Sequence, residues 1–445
     1  WGVADVVVIE PVLGHAPVMR IVRPRDKNYA SFIRSLDRRA RATPAVEKTV
    51  RDIIAAVERE GDAALIRYTK KFGGPSLSAK ELRVPAKELS AAWRSLDAPT
   101  KRALSAAHKN IRSFAQRSLR KNWSARNAQG AKVGERFDPF QRVGIYVPGG
   151  TAPLVSTALM TCTYAAAAGV PEIVAVTPAG RDGKVNKALL AALHLAGATE
   201  VYKVGGAQAV AALACGTKTI RPVAKVFGPG NSYVVEAKRQ LFGRVAVDLL
   251  PGPSEILVIA DRKANPAWVA SDLLAQAEHG EDSIALLLTD SAPMLAAVAR
   301  EVERQADRLT RGSILKKSLR SAALILVPRM ADAIAFANGF ASEHVSLQVA
   351  DSAKLAAKLT TSGAIFLGGY SPVAAGDFLA GPSHELPTGG AGKSFAGLTA
   401  DQFQRRTSIV ELSRASLRRS VPTIEAFAEV EGLDAHGRSA SIRLE

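Results

Sequence analysis

Between residues 143 and 340 the chain alternates short apolar runs with stretches of helical period, separated by glycine-containing loops. No other feature constrains the fold as strongly. Strand-like runs at 172–176, 200–204, 223–227, 244–248, 284–289 and 322–327 interleave with helical stretches at 185–196, 206–214, 231–242, 292–306 and 331–338. Strands joined through helices run parallel, and a parallel sheet needs helices on both faces. The expected fold class is therefore α/β, with two parallel-sheet units of similar layout that suggest an old duplication without a sequence repeat. Helical periodicity also runs from Val46 to Gly61 and from Pro99 to Ser118.

Composition narrows the class. Of 445 residues, 47% are hydrophobic and only 6% aromatic, which suits a large globular core of Ala, Val, Leu and Ile. Cys162 and Cys215 both lie in Ala-rich apolar surroundings, so they support neither a disulfide framework nor a thiolate zinc site. A reducing compartment is expected: the cytoplasm, or a plastid if a transit peptide has already been removed. The net charge of +18 is spread along helices in which bases neighbour acids, as in Arg51-Asp52 and Arg59-Glu60. No run joins basic residues to stacking aromatics, so a solvated basic surface is expected rather than a nucleic-acid site. No apolar run approaches the ~18 to 20 residues needed to span a bilayer. Residues 1–18 lack Lys and Arg but contain Asp5 and Glu10, which fits neither a secretory nor a transit segment. Met19 reads as a natural start.

The chemistry-bearing stretches are short. Ser271–Gly280 reads as the last turns of a helix with Leu273, Leu274 and Ala277 on its apolar stripe. Gln276 and His279, three residues apart, share a face there and could share a metal ion. Val143–Pro153 runs from an apolar strand through Pro-Gly-Gly into a helix from about 153 to 168, where backbone N–H groups could receive an anion. Gly228-Pro-Gly-Asn231 also follows a strand and opens a helix, but Tyr233 stands where a dinucleotide fingerprint has its third glycine. Gly389–Ser394 contains Gly-Lys-Ser without the first glycine of a phosphate loop or a preceding strand, which excludes a triphosphate site.

Taken in order, Tyr146-Val-Pro-Gly-Gly150, Val204-Gly-Gly-Ala-Gln208, Phe227-Gly-Pro-Gly-Asn231, Gly252-Pro-Ser-Glu255 and Gln276-Ala-Glu-His279 resemble the histidinol dehydrogenase family. Ser342-Glu-His344, Ala375-Gly-Asp377, Gly381–Pro387 and Glu431–His436 continue the resemblance, which spans roughly residues 20 to 445. It implies two incomplete Rossmann-like units, an N-terminal helical arm and a C-terminal tail swapped onto the partner of a homodimer. The implied activity is the zinc-dependent, four-electron oxidation of L-histidinol through the aldehyde to L-histidine, the last step of histidine biosynthesis, with two NAD used in succession.

The resemblance also implies the site. Zinc would be held by Gln276, His279, Asp377 and His436, the last from the partner chain. Substrate would meet Ser254, Gln276, His279, His344, Asp377, His384, Glu431 and His436. NAD would meet Tyr146, Gln208 and Asn231. Nitrogen and oxygen donors without thiolates suit a zinc site that keeps open positions for substrate. Oxidising an alcohol to an acid needs a base for the hydroxyl proton and an activated water for the aldehyde. His344 is the expected base and Glu343 the expected activator of water. The expected division is a leader at 1–18, an arm at 19–42, a first α/β domain from 43–142 and 255–398 carrying most of the metal and catalytic site, an NAD-binding domain at 143–254, and the tail at 399–445. A dehydrogenase on the same scaffold acting on another small alcohol, such as a sulfonated diol, is the nearest alternative. His384 and Glu431 argue against it. A zinc hydrolase is disfavoured because the chain has no His-Glu-x-x-His.

Overall fold

A computed structural model describes residues 19–36, 42–149 and 153–445; the expected leader at 1–18, part of the arm, and Gly150 of the Pro-Gly-Gly turn lie outside them. Two parallel sheets organise the chain. The first has six strands, in the spatial order Arg20–Val22, Ala323–Leu326, Ile284–Thr289, Glu255–Ala260, His344–Gln348 and Ala364–Leu367. The second has five, in the order Glu200–Tyr202, Glu172–Val176, Arg142–Tyr146, Lys225–Phe227 and Ala246–Val247. Every pairing within both sheets is parallel.

The sequences of the central strands explain their position. Glu-Ile-Leu-Val-Ile-Ala at 255–260 and Ile-Ala-Leu-Leu-Leu-Thr at 284–289 are buried at every residue, because helices cover both faces of their sheet. One face packs on Val269, Leu273 and Val298, and the other on Ala333, Ala337 and Phe340.

The arm begins as a strand rather than a helix. Arg20–Val22 adds a parallel edge to Ala323–Leu326, and the short helix Tyr29–Ser35 then lays Tyr29, Phe32 and Ile33 against the same core. Three residues are too few to show a strand period, and their partner lies some three hundred residues away in the sequence.

The helices between 44 and 118 also depart from the expected grouping with residues 255–398. Val50, Ile53 and Val57 of helix Pro44–Glu60 join the core built on Val174, Val176 and Val210, while Ala107 and Ile111 of helix Ala98–Ser118 join the core around Met160 and Leu189. Both cores belong to the five-stranded sheet, so these helices clothe the unit at 143–254.

The tail boundary moves for a similar reason. Leu398, Ala400 and Phe403 are buried in that unit, with Phe403 stacked on Phe227 at 3.9 Å between ring centroids. Beyond them Gln404–Glu411 pairs antiparallel with Lys132–Pro139, which in turn pairs with Trp123–Arg126. Helices Arg414–Glu431 and Asp434–Ser441 then pack on each other. Much of their apolar surface stays in solvent: Phe427 is 63% exposed and Val430 86%.

Candidate active site

A cavity of about 650 Å³ lies between the two sheets. On the five-stranded side its wall is made by Pro148, Gly228–Asn231 and Asp248, which follow the carboxyl ends of strands Arg142–Tyr146, Lys225–Phe227 and Ala246–Val247. The chain builds one side of this sheet outward from Arg142–Tyr146 and then returns to build the other from Lys225–Phe227. The gap between these two strands is thus a topological switch point, where α/β sheets bind ligands. On the six-stranded side the wall comes from the opposite strand ends. Ser254 precedes Glu255–Ala260, and Glu343 and His344 stand at the start of His344–Gln348.

Parallel pairing of His344–Gln348 with Glu255–Ala260 brings the first residues of the two strands together. His344 is buried, and its Nδ1 lies 3.2 Å from the carbonyl oxygen of Glu255. A carbonyl only accepts, so Nδ1 carries the proton and Nε2 keeps its lone pair. Nε2 faces Asp377, 3.7 Å from Oδ1. Burial lowers the imidazole pKa to about 3, so the ring is neutral. Glu343 is fixed by the Glu255 amide, which donates to Oε2 at 2.8 Å. Burial still pushes its carboxyl well above the usual carboxylate range, with the Glu255 and Asp377 charges adding to the rise.

His384 repeats the tautomer. Its Nδ1 donates to the Asp377 carbonyl at 3.2 Å, leaving Nε2 to accept from the Thr157 hydroxyl at 3.2 Å, and burial lowers its pKa to about 4. Burial likewise raises the Asp377 carboxyl to about 7. Two neutral imidazoles and two carboxyls of raised proton affinity therefore converge on one cavity.

Helix Pro266–Ala277 ends one turn short of its expected stop at Gly280. His279 follows it on a tighter turn, its amide donating to the Gln276 carbonyl at 3.2 Å, and its side chain lines the cavity. Burial lowers the His279 pKa, and the Arg311 charge lowers it further. Gln276 is buried, yet neither its Oε1 nor its Nε2 has a hydrogen-bond partner among the described residues. A buried amide left this way costs about 1–3 kcal/mol, which a metal accepting its oxygen would offset. The cavity is lined by His279 and Asp377 but not by Gln276; together the three would offer one nitrogen, one carboxylate oxygen and one amide oxygen, a donor set that zinc accepts. Among the described residues no three His, Cys, Asp or Glu side chains of one chain converge as a metal site. A zinc site here would need the amide and a donor from a second chain.

The other expected residues fall in three places. Asn231 borders the cavity while capping helix Ser232–Leu241, its Oδ1 accepting from the amides of Tyr233 and Val234. Gln208 lies in the first turn of helix Gly206–Cys215, at whose start the Tyr146 hydroxyl accepts from the Gly206 amide at 3.0 Å, and neither Tyr146 nor Gln208 borders the cavity. Glu431 and His436 lie exposed on the tail helices, apart from the cavity of their own chain. Thr157, Arg311 and Asp248 border the cavity without having been singled out from sequence. Thr157 had the weakest of signals, its place just after the Pro-Gly-Gly turn, and Arg311 and Asp248 had none.

Comparison with known proteins bears on this arrangement directly. The family model described as histidinol dehydrogenase matches residues 36–444. The chain belongs to the histidinol dehydrogenase family. It is 44% identical over 429 residues to the histidinol dehydrogenase of Syntrophotalea carbinolica, covering 96% of this chain and 99% of that one. It is also 44% identical over 420 residues to that of Bradyrhizobium diazoefficiens, covering 94% and 96%. The crystal structure of histidinol dehydrogenase from Elizabethkingia anophelis superposes with a TM-score of 0.90 at 35% identity, over 96% of this chain and 98% of that one. An acetylating aldehyde dehydrogenase from Geobacillus thermoglucosidasius, at 15% identity and a TM-score of 0.50 over 86% of this chain and 94% of that one, shares the fold alone. Histidinol dehydrogenase family members thus match this chain over nearly its whole length, and both expected parallel-sheet units are present.

Proposed function

We propose that this member of the family oxidises L-histidinol through the aldehyde to L-histidine, with two NAD, as the last step of histidine biosynthesis. The observation that carries the reading is His344. It is a buried, neutral imidazole whose Nδ1–H is tied to a carbonyl, so its Nε2 lone pair is left at the cavity beside Asp377, with Glu343 on the Nδ1 side of the ring.

His344 takes the hydroxyl proton on Nε2 while the Glu255 carbonyl, already accepting from Nδ1, stabilises the imidazolium that forms. Glu343 serves the second oxidation. Held through Oε2, and with a proton affinity raised by burial, its carboxylate draws a proton from the water that adds to the aldehyde. Ser254 and His384 border the substrate's end of the cavity, and Gly228–Asn231 borders the cofactor's. Gln276, His279 and Asp377 would hold zinc, with His436 of a second copy completing the set and Glu431 of that copy reaching the substrate. When bound, zinc supplies an anchor that orients the substrate's nitrogens, and NAD supplies the hydride acceptor. The chain would thus act as a homodimer with exchanged tails. The alternative on another small alcohol has no observation in its favour, and the bacterial relatives lend none to a plastid location. No helix among the described residues is long and apolar enough to cross a membrane.

The deciding experiment counts NADH formed per L-histidinol consumed by the zinc-loaded protein. About two, abolished by chelation and restored by metal, is expected. One would mean that the aldehyde escapes and that Glu343 does not activate water; none would return the function to another alcohol.

A further inference from the structure

Gly228 ends strand Lys225–Phe227 with φ +109°, and a Cβ at this position would collide with the Tyr146 carbonyl oxygen. Both of its backbone polar groups are held by side chains from elsewhere in the unit. Its amide donates to Asp248 Oδ2 at 2.7 Å, and its carbonyl accepts from Lys238 Nζ at 3.0 Å. Lys238 and Asp248 also form an ion pair with each other, and their side chains are 0% and 3% exposed. One residue, one ammonium and one carboxylate thus close a ring inside the protein. Lys238 reaches it from the last turn of helix Ser232–Leu241, the helix that the next residues, Pro229–Asn231, lead into.

A buried ion pair is a poor source of net stability, since desolvating both charges costs about as much as their attraction returns. What this pair achieves is positional. It fixes the peptide groups on both sides of Gly228, and so the course of Pro229, Gly230 and Asn231 along the cavity wall at the switch point. We infer that Lys238 and Asp248 are positioning residues for the cofactor: they hold the Gly228–Asn231 turn in the form that receives NAD, without themselves touching the reacting atoms. The inference rests on the reading that NAD binds on this side of the cavity.

The test separates the two. The double variant Lys238→Met/Asp248→Asn removes the ion pair as a unit, leaving the buried Glu385 carboxyl and Lys225 ammonium that face it beside two neutral side chains, while the Gly228 carbonyl loses its donor. The expected result is a KM for NAD raised at least tenfold with the KM for L-histidinol held within twofold. An unchanged KM for NAD in the folded variant overturns the inference, and so does an equal rise in both constants, the mark of a merely structural role. A measurement on the wild-type holoenzyme covers the case of a variant that does not fold. NAD should slow hydrogen exchange at the amides of residues 228–235 at least threefold, and unchanged exchange there overturns the inference as well. Wild-type protein that makes no NADH from L-histidinol, yet shows this NAD-dependent protection, would refute the proposed substrate and leave the positioning role standing.

Discussion

At the scale of single residues the site divides labour between two neighbours, Glu343 and His344, that differ in how they are held. His344 is needed whenever a hydroxyl proton leaves, whereas Glu343 is needed only when water must add. His344→Asn should therefore lose both oxidations, by about 10²-fold or more in kcat, the usual scale for a general base. Glu343→Gln should still form one NADH per histidinol and then release or retain the aldehyde. A second NADH formed at the wild-type rate by Glu343→Gln, read by stopped-flow absorbance, would refute the division. Gln276 allows a test on stability alone. Its amide is buried without a partner among the described residues, so Gln276→Leu should make the metal-free protein about 1 kcal/mol more stable in urea, and the order should reverse once zinc is added. Destabilisation of the metal-free variant would show that the amide has a structural partner instead. Such pairings were only partly legible beforehand. The short motifs around His279, Glu343, Asp377 and His384 announced residues that meet in one cavity. The hydroxyl of Thr157, the charge of Arg311 and the ring closed by Lys238 and Asp248 carry no local pattern, since the chain alone does not say which distant side chains face one another.

Among the elements, the parallel strands were the most legible part, because strands buried on both faces are nearly continuous apolar runs. The runs read at 172–176 and 284–289 agree with the observed strands, and the helix at 292–306 agrees as well. Helical periodicity does not reveal which sheet a helix will cover, and the helices between 44 and 118 share their cores with the five-stranded sheet. The antiparallel sheet of Trp123–Arg126, Lys132–Pro139 and Gln404–Glu411 escaped notice because its strands are mostly exposed and polar. One polar feature does tie elements together. Arg142, at the head of a central strand, bonds Glu172 at 2.7 Å and Glu200 at 2.9 and 3.0 Å, spanning three adjacent strands with its side chain 8% exposed. The Arg142 hydrogen bonds hold the Glu200 carboxyl down at about 2 against an ordinary value near 4.5. A depressed folded pKa contributes stability that is complete above the unfolded value and is lost as pH falls toward the folded one. Arg142→Met should therefore cost about 3 kcal/mol near neutral pH, where it takes the main partner from a largely buried carboxylate and leaves it Tyr202 and the more distant Arg221. The difference from wild type should shrink between about pH 4.5 and 2, as Glu200 is protonated in the unfolded chain and then in the folded one. Urea titrations at pH 7 and pH 3.5 would check it, and an equal loss at both would rule out the Glu200 linkage.

For the molecule as a whole, the tail is the element whose surface makes least sense in a single chain. Phe427 and Val430 on the first tail helix, and Leu433 and Ile442 at the two ends of the second, present apolar surface to water. Covering side chains of this size is worth about 1.5–3 kcal/mol each, enough to make a second copy a natural recipient. The same helices carry Glu431 and His436, which are apart from the cavity that the rest of their own chain forms. If tails are exchanged, each working site takes its body from one chain and His436 from the other, and the isologous symmetry of a dimer makes both sites alike. Two individually dead variants should then repair each other. Mixed, unfolded and refolded in equal amounts, His344→Asn and His436→Ala chains form hybrids in which one site joins an intact body to an intact tail, while the other collects both lesions. With random pairing, roughly a quarter of all sites should work, and NADH formation should rise from near zero to about a quarter of the wild-type rate. Phe427→Glu introduced into both chains should abolish the recovery by preventing docking. A refolded mixture that stays as inactive as its components, while sedimenting as a dimer, would mean that His436 acts within its own chain or not at all.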